Sequence, residues 1–183
     1  MILILMGSPA SGKGTQAELI GEKYKIPHLS SGKIFREEVK NESTLGLEIK
    51  HYLASGSLIP DNLTIQIMDH ILNQMNISEG LILDGFPRTL IQATKLEQLL
   101  AGKNYFVSFV FNLVVPKEEL FKRLSSRGRK DDQEEIFQNR LRLHEQQSKP
   151  LLDFYQNKGV LRTINGNQNV HDVFKEIDNI IKG

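Results

Sequence analysis

Residues 7–16 of this 183-residue chain read GSPASGKGTQ and directly follow MILILM, an apolar run at residues 1–6. The apolar run is typical of a parallel strand buried on both faces, and the pattern from Gly12 to Tyr24 indicates a helix. A glycine-rich turn between a strand and a helix lets successive backbone N–H groups point at phosphate oxygens. The helix start adds partial positive charge, and Lys13 adds a mobile ammonium group. The stretch therefore predicts a phosphate-binding loop rather than an ordinary glycine turn.

Short apolar strands alternate with amphipathic helical patterns along the rest of the chain. This alternation predicts a three-layer α/β sandwich, in which five parallel strands lie between helices on both faces. A single domain over residues 1–183 is expected, because no linker interrupts the pattern. The predicted strands are 1–6, 27–29, 81–84, 106–115 and 160–164, and the predicted helices are 12–24, 30–40, 44–54, 61–75, 89–100, 117–126, 133–155 and 170–181.

The composition excludes several classes of function. Lys and Arg number 23 against 22 Asp and Glu, and this balance argues against nucleic-acid binding, which relies on a strong positive field. The chain has no cysteine, which excludes disulfides, thiolate nucleophiles and zinc–sulfur sites and fits a reducing compartment. The apolar opening is too short to cross a bilayer and lacks the basic flank of a signal peptide. We therefore expect a cytoplasmic protein with no nucleic-acid or membrane partner.

Three segments carry a resemblance to a known family. They are GSPASGKGTQ, LDGFPRTLIQA at residues 83–93 and KRLSSRGRKDDQEEIFQNRL at residues 122–141. Together they resemble the nucleoside monophosphate kinases, the adenylate kinases above all, and the resemblance covers essentially the whole chain. It implies a P-loop NTPase fold and the reversible transfer of a phosphoryl group from ATP to AMP, which gives two ADP.

The resemblance implies an ATP-binding set around the loop. In this set Lys13 and the loop amides stabilise the moving phosphoryl group, and Arg123 stacks on the ATP adenine. Ala10 stands where the family usually has glycine, and it would cost about 1 kcal/mol if the backbone there needs a positive φ. The set consists of Gly7, Ala10, Ser11, Gly12, Lys13, Gly14, Thr15, Arg123, Arg127 and Gly166.

The resemblance implies an AMP-binding set as well. Arg36 and Arg88 would hold the monophosphate, and the hydroxyl of Ser31 would contact the base. Gln92 would bond the adenine edge, since an amide donates and accepts at once, as adenine N1 and N6 require. A cis peptide between Phe86 and Pro87 is also implied. The set consists of Ser31, Arg36, Ser57, Leu58, Ile59, Gly85, Arg88, Gln92, Arg129 and Arg140.

Catalysis is assigned by the resemblance to a group of cations, because phosphoryl transfer needs positioning and charge neutralisation more than a protein nucleophile. Only Gly128 separates Arg127 from Arg129, whereas the family has several residues between the matching arginines. The lid of the family, near residues 123–132 here, is therefore expected to be reduced to a tight turn. Asp131 and Asp132 would orient the guanidinium groups, or cap a helix with Glu135 in a capping box. A mobile monophosphate-binding insertion is expected near residues 30–59. The catalytic residues are Lys13, Arg88, Arg127, Arg129 and Arg140.

Magnesium is the implied cofactor, and Asp84 would anchor it through a water molecule. The usual phosphate-binding loop has Ser or Thr directly after the lysine, but here Gly14 comes first and Thr15 follows. The metal is therefore expected to be held mainly through waters. Lys33 replaces an aspartate of the family, which either changes the surroundings of the metal or lets this lysine contact phosphate directly. The five histidines show no metal-ligand spacing, and we expect structural roles for them.

Two alternatives to an adenylate kinase stay open. The first is a UMP/CMP kinase on the same fold, against which Gln92 favours AMP. The second is a nucleotide-binding protein with weakened catalysis, of which Lys33, Ala10 and the short lid would be signs. We expect a monomer whose partners are the nucleotides ATP, AMP and ADP.

Overall fold

The computed structural model describes residues 1–128 and 133–183, apart from the side chain of Arg127. Within these residues the predicted elements are confirmed, with ends that shift by at most two residues. None of the described helices is both long enough and apolar enough to cross a membrane. The strands are β1 (Ile2–Gly7), β2 (His28–Ser30), β3 (Leu81–Asp84), β4 (Val107–Val114) and β5 (Leu161–Asn165). The helices are α1 (Lys13–Tyr24), α2 (Ser31–Lys40), α3 (Thr44–Ser55), α4 (Asp61–Gln74), α5 (Leu90–Ala101), α6 (Lys117–Arg127), α7 (Glu134–Asn157) and α8 (Val170–Lys182).

The sheet is parallel throughout, in the order β2-β3-β1-β4-β5, so the predicted architecture is confirmed. β1 lies at its centre, and the residues from Ile2 to Met6 are at most 5% exposed. Alternate side chains point to opposite faces of a strand. Ile2, Ile4 and Met6 accordingly join the core on one face, and Leu3 and Leu5 join the core on the other. Burial on both faces explains why the strand is an unbroken apolar run.

The strand order creates a crevice at one edge of the sheet. The connection from β1 leads to β2 on one side, whereas the connection from β3 leads to β4 on the other side of β1. The loops that follow these neighbouring strands therefore separate, and ligands of open α/β sheets bind where this happens. The glycine-rich loop after β1 and Asp84 at the end of β3 both lie at this crevice.

Helices α2 and α3 form a pair around a small core, which residues of α4 also contact. Phe35, Ile49 and Ile59 are its buried members, and they form a cluster separate from the cores on the two faces of the sheet. The two helices approach closely at Gly46, because a Cβ there would overlap the carbonyl oxygen of Glu38. The pair is therefore a compact unit beside the crevice.

The start of α7 differs in one detail from the sequence analysis. The helix begins at Glu134, and Gln133 precedes it without a side-chain cap hydrogen bond. Asp131 and Asp132, the caps in the capping-box alternative, lie outside the described residues, so that alternative stays a prediction.

A buried carboxylate ties α1 to α8 on one face of the sheet. Asp178 accepts from Lys23 Nζ at 2.6 Å, from the Tyr24 hydroxyl at 2.8 Å and from Lys182 Nζ at 2.7 Å. The hydrogen bonds from Lys182 and Lys23 lower the pKa of Asp178 below its usual range, although burial acts against ionisation. The ionised form is thus the one that the fold stabilises.

We expect Asp178→Asn to lower the thermal midpoint by about 2–4 °C at pH 7, because the charge-assisted bonds are lost. The folded-state pKa lies below the unfolded value of about 3.9, so this contribution is complete above that pH and disappears as the pH falls. Thermal unfolding at pH 7 and pH 3 measures both effects. Asp153→Asn is the control, since Asp153 is an exposed residue of α7. Equal midpoints for the two variants at pH 7 would contradict the assignment.

Candidate active site

The loop between β1 and α1 has the backbone of a phosphate cradle. Gly7 and Gly12 have φ values of +137° and +96°, a region that glycine adopts without strain. A Cβ on Gly7 would lie 2.6 Å from the carbonyl oxygen of Leu113, so this position also requires glycine for space. Ala10 has a φ of +64°, which is strained for alanine. The expected backbone strain at Ala10 is therefore confirmed.

Lys13 holds its positive charge at the centre of this loop. Its Nζ donates to the carbonyl oxygens of Gly7 and Ser8, both at 2.8 Å, and lies 3.4 Å from the hydroxyl of Ser11. The side chain therefore curls over the loop from the first turn of α1. A phosphate bound in the loop would meet both the backbone amides and this ammonium group.

Asp84 lies opposite the loop, at the end of β3. Its carboxylate accepts from the Ser30 hydroxyl at 3.1 Å and lies 3.7 Å from Nε2 of His28. Burial opposes ionisation, but His28, Lys13 and Ser30 together hold the pKa of Asp84 below its usual range. A Cβ on Gly14 would lie 3.8 Å from the carboxylate, so glycine keeps the space between loop and carboxylate open. The site thus offers an ionised carboxylate next to the phosphate-binding loop.

Direct metal coordination by protein alone does not fit this place. Among residues 1–128 and 133–183, no cluster of three acidic, His or Cys side chains could hold a metal ion. Magnesium, however, retains several waters in proteins and needs few carboxylates. One ionised carboxylate beside a phosphate-binding loop fits a hydrated magnesium ion.

Three guanidinium groups from different elements lie close together across the crevice. Arg88 precedes α5 and donates through Nε to the carbonyl oxygen of Gly85 at 2.7 Å. Its side chain is exposed to solvent in the cleft, although many protein atoms lie around it. This enclosure lowers the pKa of Arg88, and the charges of Arg140 and Arg36 lower it further, with Asp84 acting in the opposite direction. Convergent arginines of this kind are suited to binding phosphate groups.

Arg123 of α6 connects the loop to the turn after β5. It donates to the carbonyl oxygen of Gly166 at 3.0 Å and to that of Ser11 at 3.4 Å, while Nε bonds to Glu119 at 3.0 Å. A Cβ on Gly166 would lie 2.6 Å from Cγ2 of Val115, so a larger residue would displace this turn. Arg123 therefore lies at the edge of the loop, with its guanidinium fixed by three acceptors.

Gln92 lies on the first turn of α5 and is only 1% exposed. Its Oε1 accepts from the backbone N–H of Arg88 at 2.8 Å, and its Nε2 donates to Asp61 at 2.7 Å. The preceding Phe86–Pro87 peptide bond is cis, as expected.

Ser31 is fully buried, and its hydroxyl donates to the carbonyl oxygen of Asp84 at 3.4 Å.

One continuous cleft of about 1070 Å³ brings the expected site residues together. Ser31 does not line it, because its side chain is buried beneath Gly85. The side chain of Arg127, and Arg129, Asp131 and Asp132 as a whole, lie outside the described residues, so residues 129–132 of the expected lid are not described. The expected residues that line the cleft are Gly7, Ala10, Ser11, Gly12, Lys13, Gly14, Thr15, Arg36, Ser57, Leu58, Ile59, Asp84, Gly85, Arg88, Gln92, Arg123, Arg140 and Gly166.

Two histidines of the cleft were given only structural roles in the sequence analysis. His28 faces Asp84, and His144 lines the cleft on α7 together with Gln147. Helical spacing from Arg140 was the signal that could have revealed His144, because residues four and seven positions apart share a face. Burial lowers the pKa of His144 to about 4, with the charges of Lys13 and Arg88 as further causes.

The parallel sheet, the loop after β1 and the arginine-lined cleft together define a P-loop α/β protein that binds nucleotide phosphates. The family model for adenylate kinase matches residues 5–160. The chain belongs to the adenylate kinase family. The resemblance inferred from the sequence is thereby confirmed, and with it the class of enzyme, a nucleoside monophosphate kinase.

Curated relatives agree with the family match. A protein of Cyanothece sp. named adenylate kinase is 47% identical over 183 positions, which cover 98% of this chain and 94% of the relative. Adenylate kinases of Bacillus cytotoxicus and Acetivibrio thermocellus are 41% and 37% identical, and each alignment covers all of this chain and 99% of the relative. Those two alignments run over 214 positions, so these relatives contain residues with no counterpart among the 183 here.

We expect Ala10→Gly to stabilise the protein by about 1 kcal/mol, because glycine removes the strain of the positive φ. Urea unfolding of the two proteins measures the difference. Ala54→Gly in the exposed last turn of α3 is the matched control, and the same change there should lower the stability by up to about 1 kcal/mol. A loss of stability in Ala10→Gly would contradict the strain argument.

His144 should make the stability depend on pH. Its folded-state pKa lies below the unfolded value, so the unfolded chain binds the extra proton first and the folded state loses stability as the pH falls below about 6.5. From pH 7 to pH 5 this loss should be roughly 1–2 kcal/mol. Urea unfolding at both pH values, with His144→Asn as the comparison, measures it. Identical pH dependence in the two proteins would contradict the pKa assignment.

Proposed function

We propose that this chain catalyses the reversible transfer of the γ-phosphoryl group of ATP to AMP, which gives two ADP. The observation that carries the proposal is the single cleft, which joins a phosphate-binding loop to convergent arginines. Its volume of about 1070 Å³ is at the upper end for a site of one small molecule and suits two nucleotides end to end. The UMP/CMP alternative is not favoured, because the relatives described above are adenylate kinases.

The donor nucleotide would lie with its phosphates in the loop after β1. The backbone amides of this loop and Lys13 would stabilise negative charge on the transferring group, since the fold holds the lysine against the loop before the substrate arrives. Arg123 and Gly166 would contact the adenosine end. The hydrogen bonds of Arg123 to main-chain oxygens and to Glu119 support this role, because they keep its planar guanidinium at the edge of the loop.

The acceptor nucleotide would lie across the crevice. Arg36 and Arg88 hold its phosphate, and Gln92 reads its base together with the segment Ser57–Ile59. Arg140 then bridges the two phosphate groups from α7, and we assign Arg127 and Arg129 to the same cation group. This arrangement fixes the attacking oxygen and neutralises charge, which is most of what phosphoryl transfer requires.

Two segments are proposed to move around the substrates. The α2–α3 pair within residues 30–59 is the monophosphate-binding insertion, and its separate small core supports motion as one unit. The segment 123–132 is a reduced lid, and the longer alignments with relatives of this family are consistent with a shortened segment here. Motions of this kind exclude water from the reaction.

Magnesium is the proposed cofactor, and Asp84 would hold it through water. The ion would neutralise charge on the phosphate oxygens of the bound nucleotide. Asp84 would keep its carboxylate ionised for this purpose, as its lowered pKa indicates. Lys33 lines the cleft and is exposed on α2, so we assign it to phosphate contact rather than to the hydration shell of the metal. We propose that the enzyme acts as a monomer in the cytoplasm.

The test is a coupled assay of ADP formation with ATP and AMP, UMP or CMP. We expect AMP to be the preferred acceptor, and Lys13→Met to lower turnover by roughly 100-fold or more, because a preorganised charge is lost. The thermal midpoint should change little. Lys95→Met, at an exposed lysine of α5, is the matched control and should keep normal turnover. Near-normal turnover in Lys13→Met, or no ADP from ATP and AMP in the unmodified chain, would contradict the proposal.

A further inference from the structure

A carboxylate behind the cleft holds the amide of Gln92 from one side. Nε2 of Gln92 donates to Oδ1 of Asp61 at 2.7 Å, and the hydroxyl of Thr89 donates to the same oxygen at 3.0 Å. From the other side, the backbone N–H of Arg88 donates to Oε1 of Gln92 at 2.8 Å. Because Gln92 is 1% exposed, water competes little for these bonds.

These two partners fix which way the amide points. A carboxylate offers only acceptors, and a backbone N–H is only a donor. If Oε1 and Nε2 exchanged places, Oε1 would face the carboxylate of Asp61, acceptor against acceptor, and Nε2 would face the N–H of Arg88, donor against donor. An amide has two N–H groups and two oxygen lone pairs. One N–H and one lone pair of Gln92 therefore remain for a ligand, and their positions are set by the protein.

We propose that Asp61 is a positioning residue, which orients Gln92 for a 6-aminopurine. The inference rests on the proposed function, in which Gln92 meets the base of the acceptor nucleotide. The remaining N–H would donate to N1 of the purine, and the remaining lone pair would accept from its 6-amino group. A 6-oxopurine carries a hydrogen on N1 and an oxygen at position 6, so it needs the opposite amide orientation.

Asp61 also lies at the start of a helix, and this second role predicts other effects of mutation than the positioning of Gln92 does. It is the first residue of α4, where negative charge favours the helix dipole. Asp61→Asn keeps an acceptor oxygen in place but removes the charge. Asp61→Glu keeps the charge but displaces the oxygen by one methylene group. If Asp61 acts by positioning Gln92, Asp61→Glu should bind AMP more weakly than Asp61→Asn. If Asp61 acts only by stabilising the start of α4, Asp61→Asn should be the weaker of the two.

The experiment compares the unmodified chain with both variants. For each protein, kcat and KM are measured for AMP and for inosine monophosphate at saturating ATP. The KM for ATP is measured as well. We expect Asp61→Glu to raise the KM for AMP roughly three- to tenfold, the effect of one lost hydrogen bond. The preference in kcat/KM for AMP over inosine monophosphate should fall by a similar factor. KM for ATP should not change, and Asp61→Asn should stay within about twofold of the unmodified chain.

The reverse order of the two variants, equal loss in both, or no effect of either would overturn the inference. Should Asp61→Glu fail to fold, Asp61→Ala is measured in its place, well below its thermal midpoint, with the same expected rise in KM. A chain that makes ADP normally while its Asp61 variants do not respond would overturn only this inference. A chain that makes no ADP from ATP and AMP would overturn the proposed function as well.

Discussion

The structure depends on holding several positive charges within one cleft. Lys13 comes from the loop after β1, Arg36 from α2, Arg88 from the start of α5 and Arg140 from α7. Their mutual repulsion is visible at Arg88, whose pKa is lowered by Arg140 and Arg36 in addition to its enclosure. Nucleotide phosphates would relieve this repulsion, so the same arrangement that opposes folding favours substrate binding.

Main-chain oxygens hold two of these cations in position. The carbonyl groups of Gly7 and Ser8 accept from Lys13, and that of Gly85 accepts from Arg88. A carbonyl oxygen orients a cation without cancelling its charge. The loops that provide these oxygens follow β1 and β3, where the strand order of the parallel sheet opens a crevice. The buried sheet thus determines where the charges lie, and the charges determine what can bind.

Local features of the sequence predicted the sheet, the glycine-rich turn after β1 and the place of Asp84 at the end of β3. The unbroken apolar run, the glycines and the lysine are contiguous, so neighbouring residues alone specify their geometry. Strain at Ala10 was predicted only on the condition of a positive φ, and the structure meets that condition. Arg127 and Arg129 stay predictions, because the structure does not describe that side chain or that residue.

Residues brought together by tertiary packing were harder to predict. Ser31 was expected at the base, but it is buried against Asp84 where α2 meets β3. Asp61 received no role, since its partner Gln92 lies 31 positions away in the sequence. His144 reaches the cleft only because α7 packs across it, and its low pKa reflects burial and charges from other elements. The contacts of Ser31 and Asp61 leave no local pattern in the chain, and the spacing of His144 from Arg140 is the one local sign of its place in the cleft.

The most direct test of the account is calorimetric titration with a bisubstrate analogue, in which two adenosines are joined through a chain of phosphates. We expect one analogue to bind per chain, more tightly than ATP or AMP alone, and to prevent the binding of both. A stoichiometry of two analogues per chain, or normal binding of AMP in its presence, would contradict two nucleotides lying end to end in one cleft.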